Sequence, residues 1–216
     1  MSSDEMTSTP KRTTRREKQA LATRADILRA ARELFAERGY SATSMADIAA
    51  AADVAVQTIY ASCGSKRALV AALVDFIDEE ADVPALAEQL RAEVDPRAAI
   101  AVTARLTRQI QERSGDVIRT LSSASAVEPA AAEAMAEGER RHRAGTAGLV
   151  AKLDAMGALK AGVSVERGAA QAALLFGGAI YEELVGNHGW SYDEVEAWVR
   201  ETAGTLLLGD SVDPSG

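Results

Sequence analysis

Apolar side chains recur at helical spacing along almost the whole chain. Ile27, Leu28, Ala31, Leu34 and Phe35 stand at i, i+1, i+4, i+7 and i+8, one buried stripe of a helix that runs to Arg38 and stops at Gly39. Met45, Ile48 and Ala49 make a shorter stripe that opens at Ser44, where Ser-x-x-Asp (Ser44, Asp47) puts an acceptor over the free N–H groups and a carboxylate at the positive end of the dipole. Asp53 and Val54 form a turn, and Ala55 to Tyr60 a short helix without acids. Ser65 caps the next, which runs to about Ala81 with Leu69, Leu73, Phe76 and Ile77 on one face.

Further along, the periodicity predicts helices over Pro84–Ala92, Pro96–Arg113, Asp116–Ser125, Pro129–Met156, Ser164–Val185 and Ser191–Leu207. Proline in the first turn (Pro96, Pro129) and glycine near the ends (Gly115, Gly157, Gly186) set these limits, and Ser191-x-x-Glu194 is a capping box. Long β-branched alternations with turn signals are missing, so the fold class is all-α: an N-terminal three-helix head on a larger helical domain.

Two helices joined by a short turn, the second short, polar and uncharged, are the components of a helix-turn-helix, whose second helix can enter a major groove without repelling phosphate. The stretch resembles the DNA-binding segment of the TetR family of transcriptional regulators. The likeness covers residues 21 to 70: the helix to Arg38 with Gly39-Tyr40, then Thr43-Ser44-Met45-x-Asp47-Ile48-Ala49, Val54-x-x-x-Thr58-Ile59-Tyr60 and Ser65-Lys66-x-x-Leu69. Ser62 and Cys63 stand where the family has an aromatic pair, and Gln57 where glycine is common.

The resemblance implies a homodimer that binds double-stranded operator DNA and is released from it by a small-molecule effector. It places Tyr60 and Lys66 on phosphate, the latter helped by the start of its helix. Thr43 and Ser44 are able to meet phosphate at the start of their helix, although Ser44 also serves as its cap. Gln57 and Thr58 are the side chains most able to read base edges, and Ala55 and Val56 offer apolar contact. The domain organisation that follows is a basic arm over residues 1–20, expected to be disordered, a DNA-binding head over 21–67 and a regulatory and dimerisation domain over 68–216.

Charge supports that division. The chain carries a net charge of −8, which by itself argues against nucleic acid. Residues 1–70 nevertheless hold eleven basic and eight acidic side chains, against thirteen and twenty-four in the remainder. From Pro10 to Arg24 the six basic residues Lys11, Arg12, Arg15, Arg16, Lys18 and Arg24 are opposed only by Glu17, a strongly basic arm, whether it binds DNA or only solubilises the chain.

The Ser164–Val185 helix is apolar over most of its circumference and rich in alanine and glycine, so it calls for burial on several sides. With the Ser191–Leu207 helix it forms the expected dimer interface, through Leu174, Gly178, Tyr181, Val195, Trp198 and Val199; ordinary core within one chain is the alternative. An effector pocket belongs among the helices between Pro84 and Val185, with Arg105, Gln109, Arg119, Thr120, Phe176 and Tyr181 as candidate lining.

Catalysis has no recognisable foothold: no phosphate loop, no nucleophile elbow and no Cys-His pairing stands out. His142 and His188 are too few and too far apart to suggest a metal site, so no metal or cofactor is expected. Cys63 is the sole cysteine, readable as a small apolar filler or as a thiol sensor beside Lys66. No secretory segment or membrane-length apolar run occurs, which gives a cytoplasmic expectation. The rival to a DNA-binding regulator is an all-helical enzyme or ligand carrier with a structural three-helix head.

Overall fold

The computed structural model describes residues 14–209. The sequence-predicted arm therefore lies outside the described residues up to position 13, but its last seven positions do not. Helix α1 spans Arg15–Arg38, so residues 15–20, expected to be disordered, are helical. The reason is a capping box one residue upstream: Thr14 Oγ1 accepts from the Glu17 amide at 3.2 Å, and the Glu17 carboxylate accepts from the Thr14 amide at 2.7 Å. Gly39 ends the helix at φ 84°, a value that glycine tolerates.

Helices α2 (Met45–Ala51), α3 (Val56–Cys63) and α4 (Lys66–Glu80) complete the head. Both serine caps form as the sequence requires: Ser44 Oγ accepts from the Asp47 amide at 3.1 Å and Ser65 Oγ from the Ala68 amide at 3.2 Å. Asp53, at φ 52°, turns the chain between α2 and α3 in the left-handed region that aspartate visits more readily than most residues.

The body holds α5 (Val83–Ala92), α6 (Pro96–Ala124), α7 (Pro129–Ala155), α8 (Val165–Leu175), α9 (Gly178–Tyr181) and α10 (Tyr192–Leu207), with a π-helical turn over Glu182–Asn187. Two expectations are corrected here. The segments predicted as Pro96–Arg113 and Asp116–Ser125 are one continuous helix through Gly115. A single interior glycine costs about 1 kcal/mol relative to alanine, and burial of Val117 and Leu121 beyond it offsets that cost. Conversely, the single helix predicted over Ser164–Val185 breaks after Leu175. A Cβ on Gly177 would sit 3.1 and 3.2 Å from the carbonyl oxygens of Ala173 and Leu174, so the chain turns where only glycine fits comfortably. The break allows Phe176 and Tyr181 both to be buried.

Among the described residues there is no strand, only one bridge between Leu159 and Leu208. The interior forms two clusters. One joins the head helices to Val117 and Leu121 of α6 and Ala131 and Ala134 of α7; the other packs α6, α7, α8 and α10 around Leu149, Leu153, Phe176, Val199 and Leu207. A boundary after residue 67 therefore runs through the first of these interiors, because the head core continues through α4 into the body.

Ion pairs tie α4 to α7 outside that core. Arg141 of α7 donates to Asp75 at 2.7 Å and Asp78 at 2.8 Å on α4, and to Glu137 on its own helix at 2.7 Å. Hydrogen bonds from Arg140 and then Arg141 hold the Glu137 carboxyl down at about 2. A carboxyl depressed on folding contributes stability that is complete above its ordinary value and is lost as pH falls through its folded value. The expected outcome is a Glu137 side-chain titration, followed by NMR, centred near the bottom of the accessible acid range, and a shift upward in Arg141→Ala.

Candidate nucleic-acid interface

Helix α3 is held by one side and offers the other. Ile59 and Cys63, one helical turn apart, are buried in the head core, which turns Ala55, Val56, Gln57 and Tyr60 outward; Tyr60 is 54% exposed. Thr58 lies half-buried at the edge of this face. No charged side chain stands on α3, and Ala55 gives its first turn no side-chain cap, so the Val56 and Gln57 amides remain open to an external acceptor, while that of Thr58 donates to the Ala55 carbonyl.

Around this face the sequence-predicted contacts separate. Ser44 is exposed, but its hydroxyl is engaged with Asp47, whose carboxyl is lowered chiefly by the Ser44 side-chain hydrogen bond. Thr43 is only 1% exposed, with its hydroxyl set 2.9 Å from the Gly39 carbonyl and 3.2 Å from that of Leu34. As a phosphate ligand Thr43 is therefore corrected to a buried strut: the turn after α1 leaves carbonyls that need a donor, and this hydroxyl supplies it.

Lys66 is part-buried, and its ammonium donates to the Tyr40 carbonyl at 2.6 Å while lying 4.0 Å from the centre of the Tyr40 ring. Burial lowers its pKa, and the nearby Glu128 carboxylate opposes that shift. An ammonium has three donors, so one commitment to Tyr40 leaves others for phosphate. The first turn of α4 behind it adds the favourable end of the helix dipole.

A residue that the sequence reading placed in the arm proves structural. Arg24 reaches from α1 to donate to the Ser62 carbonyl at 2.5 Å, and the same nitrogen lies 3.6 Å from Cys63 Sγ. It thus neutralises the negative end of α3, where the dipole favours a cation. The departure at Ser62-Cys63 was the available signal, since small residues there leave room for a guanidinium. Cys63 itself is buried, which fits the filler reading.

The six candidate effector residues do not converge. Arg105 is exposed and donates to Gln89, Arg119 is exposed, and Thr120 turns its hydroxyl to the Asp116 carbonyl. Phe176 is packed in the second core. These four are corrected as lining: the first three sit on the outer side of α6, and Phe176 is spent on packing. Gln109 and Tyr181 remain. Gln109 Oε1, Gln171 Oε1 on α8 and the Tyr181 hydroxyl are all buried without a partner. Burial, followed by the Glu196 carboxylate, raises the Tyr181 pKa well above its ordinary value.

The expected dimer residues also divide. Tyr181, Val195 and Val199 are buried within the chain, and a Cβ on Gly178 would meet the Gln111 amide at 2.9 Å. Those four are corrected, because the apolar stripe of α10 faces the second core and Gly178 faces α6. Leu174, 69% exposed, and Trp198, 37% exposed, remain on the outside, joined by Leu206. A groove of about 320 Å³ runs along α10 between Trp198, Glu201, Thr202, Thr205 and Leu206. Among the described residues no cluster of three His, Cys, Asp or Glu side chains is placed to hold a metal, and no helix is long and apolar enough to cross a membrane.

Residues 27–73 match the family model described as bacterial regulatory proteins, tetR family. Over 82 residues, 38% of the chain, the sequence is 42% identical to the HTH-type transcriptional regulator TtgR of Pseudomonas putida. That alignment spans 39% of TtgR. The whole fold is similar to a SmeT–triclosan complex, with a TM-score of 0.72 over 90% of this chain and 96% of that one at 20% identity. It is also similar to a TetR transcription regulator from Haloarcula marismortui, with a TM-score of 0.66 over 86% and 96% of the two chains at 16% identity.

The position of Thr43 gives a direct expectation. Thr43→Val keeps the volume but removes the hydroxyl, and should lose roughly 0.5–1.5 kcal/mol in urea unfolding, the usual net worth of one hydrogen bond. Tyr60→Phe, on the open face, should leave the unfolding midpoint unchanged.

Proposed function

We propose that this chain, a TetR-family protein by its head and by its overall fold, is a homodimeric DNA-binding transcriptional regulator that leaves its operator when a small molecule binds the body. The observation that carries the reading is the uncharged outer face of α3, Ala55, Val56, Gln57 and Tyr60, held rigid from behind by Ile59 and Cys63 and flanked by the start of α4. Residues up to 67 are the reading head, and the rest is the regulatory and dimerisation part.

On this reading the outer face of α3 lies in the major groove. Gln57 is suited to adenine N6 and N7, and Val56 and Ala55 to a thymine methyl. The Tyr60 hydroxyl and the free donors of Lys66 meet phosphate, and Ser44 joins them by exchanging its hydroxyl's bond to Asp47 for one to phosphate, which fixes register without reading sequence. Thr58, at the edge of the face, touches either. A two-fold dimer sets its two recognition helices about 34 Å apart, one turn of duplex.

Dimerisation through α8 and α10 is supported by exposed Leu174, Trp198 and Leu206, apolar side chains on two helices of the second core. Effector control is supported by the unpartnered Gln109, Gln171 and Tyr181 atoms, since buried polar groups normally find partners and a ligand would supply them. The related SmeT fold is described with triclosan bound. An inducer must bind the DNA-incompetent geometry more tightly, or it shifts nothing. Repression, the common mode of the resembling family, is the sign proposed here.

Salt dependence tests the DNA reading. If a dimer meets on the order of six to ten phosphates, affinity in gel-shift titrations should fall roughly 10³- to 10⁵-fold between about 50 and 200 mM salt. Gln57→Ala should change the preferred base, at a cost of about 1 to 3 kcal/mol on the preferred site, while Tyr60→Phe weakens all sequences alike. A flat salt response would favour the all-helical enzyme or carrier instead.

The interface has its own test. Trp198→Arg puts a charge at the centre of the exposed apolar strip and should convert a dimer to monomer at micromolar concentration in light scattering. A wild-type monomer, or a variant that still dimerises, would count against α10 as the interface.

A further inference from the structure

Glu128 occupies the N-cap of α7 and does not cap it. Its carboxylate instead accepts a hydrogen bond at 2.9 Å from the hydroxyl of Ser41, in the turn that leads into α2. The adjoining carbonyl, that of Tyr40, is the acceptor for the Lys66 ammonium. Five residues along α7, Glu133 takes the guanidinium of Arg67, the next residue of α4, at 2.7 Å. Two body carboxylates thus lie on donors of the head, one in the turn before α2 and one in the first turn of α4, and a helix start is where a phosphate is favoured.

We propose that the first turns of α7 are a built-in competitor for DNA: Glu128 on Ser41 and Glu133 on Arg67 occupy phosphate-facing donors, and DNA must displace them. This rests on the DNA-binding reading above. A carboxylate and a phosphate oxygen are both anionic acceptors, so one hydroxyl or guanidinium edge cannot fully serve both. The Glu128 carboxylate also favours the charged form of Lys66, against the effect of burial. Because α7 is also clamped to α4 by Arg141, a movement of α7 changes how firmly these acids hold the head. Competition of this kind sets the strength of binding to every sequence rather than the choice among sequences.

The experiment uses the full chain and a fluorescein-labelled, random-sequence duplex at low salt, read by anisotropy. The proteins are wild type, Glu128→Gln, Glu133→Gln, both together, Ser41→Ala, and Ser41→Ala with Glu128→Gln, each first matched for helical signal and unfolding midpoint. Glu128→Gln with Glu133→Gln should bind about two- to fivefold tighter, the range expected of partly exposed ion pairs. The gain from Glu128→Gln should shrink in the Ser41→Ala background, because the hydroxyl that the neutral amide holds less tightly than the carboxylate did is gone. Unchanged or weaker binding by folded Glu128→Gln overturns the competitor. An equal gain in both backgrounds also overturns it, since a general field effect would then suffice. If wild type itself binds no duplex, the DNA reading falls and takes the competitor with it, a result distinct from the other two.

Discussion

The placement of α3 depends on a core that the head does not close by itself. Ile59 and Cys63 enter a cluster shared with Leu69, Val70 and Leu73 of α4, and that cluster runs on to Val117, Leu121, Ala131 and Ala134 in the body. Three helices of this length bury too little surface to be robust alone, so the apolar contact through α4 stabilises the head as well as joining it. The same contact makes the attitude of α3 a property of the whole chain. A rigid-body shift of α6 or α7 cannot leave the head where it was without opening voids in a close-packed interior.

Around that core, polar contacts set the angle more finely. Arg141 bridges to Asp75 and Asp78, Arg32 pairs with Glu80 at 3.6 Å, and Arg24 holds the end of α3. Single exposed pairs contribute little, but a guanidinium shared by three carboxylates loses less entropy per contact than three separate pairs. Apolar packing thus supplies the stability of the junction, and the arginines select one geometry from those that packing alone would permit.

What the sequence made legible was whatever depends on near neighbours. The caps at Ser44, Ser65 and Ser191 form with the amides three residues on, and the stripe of α1 is buried as its spacing required. The outward side of α3 was legible for the same reason, because burial of Ile59 and Cys63 on a 3.6-residue period leaves only one other side. What was not legible depends on distant partners. Gly115 looked like an ending because nothing local shows that Val117 and Leu121 would be buried beyond it. Thr43 and Lys66 looked free because their acceptors, the carbonyls of Gly39 and Tyr40, are backbone atoms whose direction no sequence pattern records. The apolar stripe Val195 and Val199 was assigned to a partner chain, yet periodicity says only that a face is buried, never in which molecule.

The acidic body raises an electrostatic problem that this geometry resolves. Thirteen basic against twenty-four acidic residues lie beyond position 70, enough to repel a polyanion if charge acted as a sum. Screening prevents that: at physiological ionic strength the Debye length is about 8 Å, so exposed acids on the far end of the body contribute little at the α3 face. Only acids within a few ångströms of the head count, and those at the start of α7, Glu128 and Glu133, are paired with Ser41 and Arg67 rather than left bare. On the proposed DNA-binding reading, location therefore decides the sign of the interaction with a polyanion, and the net charge of the chain constrains it hardly at all.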